Sequence, residues 1–273
     1  ITPSNKRIDI QLKGAGRTPY SRSGDGKATL SSMLREYLIS EAMSALGIPT
    51  ARSLAVLKTN EYIQRTTLEK GAVLARVASS HIRVGTFEYA KVYGDKKLIM
   101  ELADYTIDRH YPEIKQLKNK YQEFLHQVIK KQAALIASWQ SVGFIHGVMN
   151  TDNVLLSGET IDYGPCAFMN QYNPNTVFSS IDKNGRYAYK NQPYIASWNL
   201  TRFTEAILEL LDEDMKKAVE LGNQELQKFE KYYMDAWRKS MALKFGIKNP
   251  TEEDEAVVKE FLDLMNAAQA DYT

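Results

Sequence analysis

The spacing of apolar residues changes once along the chain, and this change limits the folds that the chain can adopt. Near the start, Ile8, Ile10 and Leu12 alternate with polar residues, a period of two that predicts a half-buried strand ending near Lys13. Beyond residue 95 the spacing becomes three and four, which predicts helices. Strands with one helix, followed by a mostly helical half, indicate an α+β fold with two lobes.

The first half is predicted to contain one helix and several strands. Residues 31–46 have helical spacing, and Gly47 and Pro49 follow as stop signals. The apolar runs at 54–57 and 73–77 predict a pair of strands. The predicted apolar face of the helix consists of Leu34, Leu38, Ala42, Ala45 and Leu46.

The second half is predicted to begin with a long helix from Tyr121 to Trp139 that ends at Gly143. A loop follows, and then the runs at 154–156 and 160–162, which we expect to pair as a short hairpin. Residues 172–194 are polar and aromatic with little periodicity, which is typical of a functional loop. Three or four amphipathic helices are expected from residue 197 onward.

The composition excludes several classes of protein. The chain has 273 residues and a net charge of +2 without a basic stripe, so we expect no nucleic-acid partner. Its single cysteine, Cys166, excludes an internal disulfide framework and is typical of a reducing compartment. No apolar run is long enough for a membrane span, and no secretory signal is visible, so no membrane partner is expected. Because the first residue is Ile1, we expect a trimmed or processed chain.

One loop and the segment that follows it have the spacing of a protein-kinase catalytic site. Asn153 comes seven residues after His146, as in the kinase His-Arg-Asp motif with its later Asn, and 162–164 (Asp-Tyr-Gly) stands where kinases have Asp-Phe-Gly. Amide and carboxylate oxygens are ligands that Mg²⁺ prefers. The pattern therefore predicts a metal site formed by Asn153 and Asp162; the alternative is that both residues cap turns.

The position of the kinase catalytic aspartate is occupied by Val148, which cannot accept a proton. The usual kinase geometry for phosphoryl transfer therefore lacks its base at this position. Asp152 is the nearest alternative carboxylate, and it could act as the base for a nucleophile that approaches from another direction. The alternative is that Asp152 is a solvated turn residue.

The first half supplies candidates for phosphate binding. Lys13 ends a predicted strand and Glu36 lies 23 residues later on the predicted helix, the order of the kinase lysine–glutamate pair. The alternative is that the two residues are an exposed pair on a solvated face. Two arginines, Arg76 and Arg83, could make bidentate contacts with phosphate oxygens, although surface positions are the alternative.

A kinase glycine-rich loop should precede the lysine, but only twelve residues do and none is glycine. Either that loop is missing from this chain, or the glycines that follow Lys13 cradle phosphate instead. Those glycines are Gly14, Gly16, Gly24 and Gly26.

Several long motifs closely resemble the selenoprotein O family, between about residue 8 and about residue 210. They are 13–26 (Lys-Gly-Ala-Gly-Arg-Thr-Pro-Tyr-Ser-Arg-Ser-Gly-Asp-Gly), 35–36 (Arg-Glu), 76–83 (Arg-Val-Ala-Ser-Ser-His-Ile-Arg), 146–153 (His-Gly-Val-Met-Asn-Thr-Asp-Asn), 160–165 (Thr-Ile-Asp-Tyr-Gly-Pro), 191–193 (Asn-Gln-Pro) and 198–200 (Trp-Asn-Leu). The resemblance implies a protein-kinase-like two-lobed fold, with a small strand-plus-helix N-lobe at 1–82 and a mostly helical C-lobe at 83–273 that carries the catalytic loop and the metal motif. The N-lobe is expected to lack its upstream strands and loop.

The same resemblance implies an adenylyltransferase that moves AMP from ATP onto Ser, Thr or Tyr of proteins, with ATP flipped relative to kinases. It implies Asp152 as the proton acceptor, and Asn153 with Asp162 as ligands of Mg²⁺ or Mn²⁺. The residues that it implies in nucleotide binding are Lys13, Asp25, Gly26, Arg76 and Arg83, together with Asp162 and with Glu36, which braces Lys13.

Two departures from the family pattern matter for the activity. The upstream Gly-Asp-Gly-Arg segment that also contacts ATP is not present, and neither selenocysteine nor cysteine lies near Thr273. A kinase-like phosphotransferase and an inactive nucleotide-binding pseudokinase therefore stay as alternatives. A bacterial-type member would be cytoplasmic and a eukaryotic one mitochondrial; the sequence gives no oligomeric state.

Overall fold

The computed structural model describes residues 1–19, 21 and 24–273, and the chain divides into two compact units. The first unit contains residues 1–81 and 159–164, and the second contains 82–158 and 165–273. The architecture is α+β, as predicted, and its sheets are small and antiparallel. Among the described helices, none combines the length and the apolar character needed to cross a membrane.

The first unit is a four-stranded antiparallel sheet with one helix. Its elements are β1 (Asp9–Lys13), β2 (Ala28–Thr29), α1 (Leu30–Ala45), β3 (Arg52–Gln64) and β4 (Leu68–Ala78). Strand β4 is central: β3 pairs with one edge, while β1 and β2 pair with successive stretches of the other edge. In this register Lys13 lies opposite Leu74 and Gln11 opposite Arg76. The predicted pairing of 54–57 with 73–77 is confirmed.

Helix α1 buries a different face from the one that its leucines predicted. Its buried residues are Met33, Glu36, Ser40 and Met43, which recur at three- and four-residue spacing. Leu34 is exposed, and so are Leu38 and Leu46 of the predicted face. The prediction was wrong because polar residues of this helix find partners in the interior: Ser40 Oγ lies 2.8 Å from Ser53 Oγ, and Glu36 is ion-paired.

The second unit is mostly helical. Its helices are α2 (Val84–Tyr93), α3 (Lys96–His110), α4 (Lys120–Ser141), α5 (Gln192–Leu211), α6 (Met215–Leu226), α7 (Lys228–Lys244) and α8 (Glu252–Ala268). Short strands β5 (Phe144–Ile145) and β6 (Ala167–Phe168) pair antiparallel, and 3₁₀ turns lie at Pro112–Ile114, Thr151–Asn153 and Tyr189–Asn191.

The core of the second unit forms around α4. Phe124 of this helix packs edge-on against Phe203 of α5 at a centroid distance of 5.4 Å, and Phe203 packs against Phe87 of α2 at 5.2 Å. All three rings are fully buried. Such aromatic contacts stabilise the packing by more than the burial of their apolar area alone. The packed helices therefore hold α4, and the start of the loop that follows it, in a fixed position.

The hairpin predicted from 154–156 and 160–162 is wrong. In the second unit, Leu155 forms an antiparallel bridge with Arg83, and Leu156 N donates to Ile82 O at 3.0 Å. In the first unit, Thr160 forms a parallel bridge with Thr50. Short apolar runs reveal a preference for extended backbone but not the partner strand, because pairing depends on tertiary context.

Candidate functional site

Four charged side chains of the first unit form a closed ring of ion pairs. Lys13 Nζ lies 2.6 Å from Glu36 Oε2 and 2.5 Å from Asp162 Oδ1. Arg76 closes the ring, because its Nη2 lies 2.7 Å from Glu36 Oε1 and 2.6 Å from Asp162 Oδ1. The predicted pair of Lys13 and Glu36 is confirmed. Each carboxylate is therefore shared by two cations.

The ring is buried on one side and open on the other. The side chains of Glu36 and Arg76 are 3% and 2% exposed, whereas those of Lys13 and Asp162 are 30% and 17% exposed. Burial by itself would lower the pKa of Arg76, but the neighbouring charges of Asp162 and Glu36 outweigh it and the pKa is raised. Arg76 is thus not a surface arginine, and its Nη1 also donates to Gln11 Oε1 at 3.1 Å.

The backbone around Asp162 is held in an uncommon conformation. Asp162 has a φ of +64°, in the left-handed region that few residues other than glycine adopt. The segment before it is fixed because Ala51 N donates to Thr160 O, and Thr160 N to Pro49 O, both at 2.9 Å. After it, Arg35 Nε donates to Gly164 O at 2.9 Å. These contacts hold the carboxylate at Lys13 and Arg76.

The described part of the glycine-rich loop contains positions where only glycine fits. A Cβ on Gly26 would lie 2.1 Å from Gly16 O, and Gly26 has a φ of +69°. Gly16 N donates to Gly26 O at 3.1 Å, which closes the base of the loop. Tyr20, Arg22 and Ser23 of the resemblance motif lie outside the described residues. Bare backbone of this kind suits close approach to phosphate oxygens.

Asp25, beside this glycine, is engaged by an arginine that sequence reasoning missed. Arg65 Nη1 lies 2.9 Å from Asp25 Oδ2, and Arg65 Nη2 lies 3.0 Å from Oδ1. The hydrogen bonds from Arg65, and then the one from Lys27 N, lower the pKa of Asp25 to about 2. No local pattern in the sequence pointed to Arg65, because 40 positions separate it from Asp25.

In the second unit, the loop at 146–153 is anchored by its first residue. His146 is fully buried and stacks on Trp139 of α4 at a centroid distance of 5.4 Å. Near the end of the loop, Asn153 Nδ2 donates to Val148 O at 2.8 Å. This bond fixes the amide of Asn153 with its oxygen as the acceptor atom, the kind of ligand that Mg²⁺ takes.

Asp152 lies against the start of α2. A Cβ built on Gly85 would lie 2.3 Å from Asp152 Oδ1, so the carboxylate occupies the space that any other residue at position 85 would fill. The first turn of a helix favours a negative charge. Arg83 precedes this helix, and its N donates to Thr86 Oγ1 at 3.1 Å. Sequence reasoning missed Gly85; a glycine in the first turn of a helix, where it is unfavourable, was the available signal.

Asn153 of the second unit and Asp162 of the first unit each carry an oxygen donor of a type that Mg²⁺ takes in proteins. Within the described residues, no group of three or more His, Cys, Asp or Glu side chains forms a metal cluster. Mg²⁺ bound with a nucleotide needs no such cluster, because it takes one or two protein ligands and completes its shell with phosphate oxygens and water.

Comparisons with known proteins agree on one family. The model of the family described as "Protein adenylyltransferase SelO" matches residues 2–273. The chain is 58% identical over 273 residues to a protein nucleotidyltransferase YdiU of Lachnoclostridium phytofermentans, and 58% identical to one of Alkaliphilus metalliredigens. It is 57% identical to one of Anoxybacillus flavithermus. Each match covers 100% of this chain but only 56%, 56% and 57% of those relatives.

Proposed function

We propose that this chain, which belongs to the protein adenylyltransferase SelO family, forms the catalytic part of an enzyme that transfers AMP from ATP to Ser, Thr or Tyr hydroxyls of proteins. The observation that carries the proposal is the ion-pair ring. It holds Lys13, which is 30% exposed, as a fixed cation beside a carboxylate suited to metal binding. The chain spans a little over half the length of the relatives it matches, so the activity is proposed for the whole protein.

For the fold we propose a protein-kinase-like arrangement of two lobes, with residues 1–82 as the N-lobe and 83–273 as the C-lobe; within the latter range, the segment 159–164 groups with the first compact unit. Two features support it. The strand lysine is paired with a helix glutamate, as in kinases. The buried His146 opens a loop with kinase spacing.

For nucleotide binding we propose direct contacts from Lys13, Arg83 and the backbone at Gly26. Lys13 supplies a positive charge to phosphate oxygens, and Gly26 supplies backbone that carries no side chain of its own. Asp25 orders the same loop through its hydrogen bond from Lys27 N at 2.9 Å. Arg76 is buried, so its contribution passes through the two carboxylates that it holds, those of Glu36 and Asp162.

Asn153 and Asp162 are proposed as the residues that hold Mg²⁺ or Mn²⁺. The metal ion would neutralise charge on the phosphates when it is bound. The carboxylate of Asp162 is partly exposed, which leaves it accessible from solvent. The amide of Asn153 is oriented by its bond to Val148 O.

For the chemical step we propose Asp152 as the general base. It accepts the proton of the acceptor hydroxyl while that oxygen forms a bond to the α-phosphorus of ATP. The bond between the α-phosphorus and the oxygen that bridges to the β-phosphate breaks, and pyrophosphate leaves. Val148 cannot take this proton, so the kinase position contributes no base.

The test uses two labels on ATP with the full-length protein and a protein acceptor. The expected result is transfer of ³²P from the α-position and none from the γ-position, with pyrophosphate as the second product. Asp152→Asn should lower the rate by about 10²- to 10⁴-fold. The matched control is Asp108→Asn, an exposed aspartate on α3 that should leave the rate unchanged. Transfer of the γ-label would establish a phosphotransferase, and ATP binding without transfer would establish a pseudokinase.

A further inference from the structure

Helix α5 buries two amide side chains on one face. Gln192 and Asn199 are both fully buried. They lie seven residues apart, which is close to two helical turns, so both project from the same side of the helix. They also lie in the sequence motifs 191–193 and 198–200, to which the proposed chemistry assigns no role.

Both amides bind the backbone of the segment that contains the 146–153 loop. Gln192 Oε1 accepts from His146 N at 3.0 Å, and Gln192 Nε2 donates to Phe144 O at 2.9 Å. Asn199 Nδ2 donates to Met149 O at 3.0 Å. One amide thus holds the entry of the loop, and the other holds its middle.

These contacts matter because the loop leaves the two-residue strand β5 and must satisfy buried backbone groups away from any sheet. A buried carbonyl without a partner is costly, so a change of either amide favours a different path of the loop. Asp152 lies three residues after Met149, in the 3₁₀ turn Thr151–Asn153. A shift at Met149 O would therefore be passed to the carboxylate.

We infer that Gln192 and Asn199 are positioning residues that fix the 146–153 loop and, through it, Asp152. This inference rests on the proposed function, since the group that they position is the proposed base. Neither residue is assigned contact with ATP or with the acceptor. Their effect should therefore appear in the chemical step more than in ATP binding.

The test changes hydrogen-bonding capacity at nearly constant shape in the full-length protein. Asn199→Asp places a carboxylate against Met149 O, and Gln192→Glu loses the donor to Phe144 O but keeps an acceptor for His146 N. The matched control is Thr204→Val on the same helix, because the buried Thr204 hydroxyl donates within α5, to Leu200 O at 2.8 Å.

Each amide variant should lower kcat about 10- to 100-fold, with KM for ATP within about threefold of the wild type. Asn199→Asp should lower the residual rate less than about twofold in an Asp152→Asn background, since both changes act on one group. The Thr204→Val control should match the wild type in all of these measurements.

Hydrogen exchange separates this inference from the proposed function. Backbone amides of residues 146–153 should exchange at least about tenfold faster in the two amide variants than in the wild type. In Thr204→Val their exchange rate should be unchanged. If the wild type transfers no AMP, the proposed function fails, and the exchange data still decide whether the amides hold the loop. Unchanged exchange in both variants, equal effects on kcat and KM, or unfolding of both variants would overturn the positioning role.

Discussion

Lys13 Nζ lies 2.5 Å from Asp162 Oδ1, although 149 positions separate the two residues in the chain. The contact depends on the backbone at Thr160, which is hydrogen-bonded to Pro49 and Ala51, and on the pairing of β1 with β4. Glu36 Oε2 accepts from the same ammonium group at 2.6 Å. The lysine is thus fixed in place by two carboxylates, which reduces the reorganisation needed when phosphate approaches.

The buried carboxylate of Glu36 should be important for stability. Glu36→Gln leaves Lys13 and Arg76 with one carboxylate instead of two, and removal of one partner from a buried ion pair costs about 3 kcal/mol or more. We expect that loss in the free energy of unfolding measured by urea denaturation. The control is Glu41→Gln on the same helix, whose partly exposed ion pair with Arg52 should contribute about 1 kcal/mol or less. Equal losses of unfolding free energy for the two variants would contradict a stabilising role of the buried ion-pair ring.

The left-handed backbone at position 162 predicts an unusual order of stability. Asp162→Ala and Asp162→Gly remove the same ion pairs, but alanine is disfavoured at a φ of +64° and glycine is not. The glycine variant should therefore be more stable than the alanine variant by about 1 kcal/mol in denaturant titrations. In a normal helical or extended segment the order would be reversed, and that result would argue against this conformation.

Gly85 should control the position of Asp152. Gly85→Ala places a methyl group 2.3 Å from Asp152 Oδ1, so the carboxylate must move. Alanine also favours the helix by about 1 kcal/mol, so we expect AMP transfer to fall at least about tenfold without a loss of stability. Val92→Ala, at an exposed position of the same helix, is the control. An unchanged rate in Gly85→Ala would show that Asp152 is not needed in its present place.

The pair of Asp25 and Arg65 predicts a pH dependence. Hydrogen bonds from Arg65, and then the one from Lys27 N, lower the pKa of Asp25 from 3.8 to about 2. Since the pKa of Asp25 is lower in the folded state, the pair's contribution to the free energy of unfolding is fully present above about pH 4. It is lost as the pH falls through 2. An NMR titration of the Asp25 carboxyl carbon should give a midpoint of about 2 in the wild type. In Arg65→Gln the midpoint should rise toward 3.8; the same midpoint in both proteins would exclude the pairing.

The sequence predicted the first strand, helix α1, the pairing of β3 with β4 and one ion pair of the site, but not the environment of the site's charges. Lys13 and Glu36 could be paired because a strand end and a following helix place them in a known order. The burial of Arg76 could not be predicted, since its partners come from α1 and from residue 162, which are distant in the chain. The exposed Leu34 and Leu38 show the same limit, because the face that a helix buries depends on its tertiary partners.

The burial of Arg76 sets a requirement on chemical identity as well as on charge. Guanidinium presents several donors in one plane, and Arg76 uses them to reach Glu36, Asp162 and Gln11 together. An ammonium group is a compact point charge that readily gives up its proton in a dry interior. A lysine in this position would keep the formal charge of the sequence but could not span the three acceptors. Homologous proteins that retain Glu36, Asp162 and Gln11 should therefore not tolerate lysine in place of Arg76.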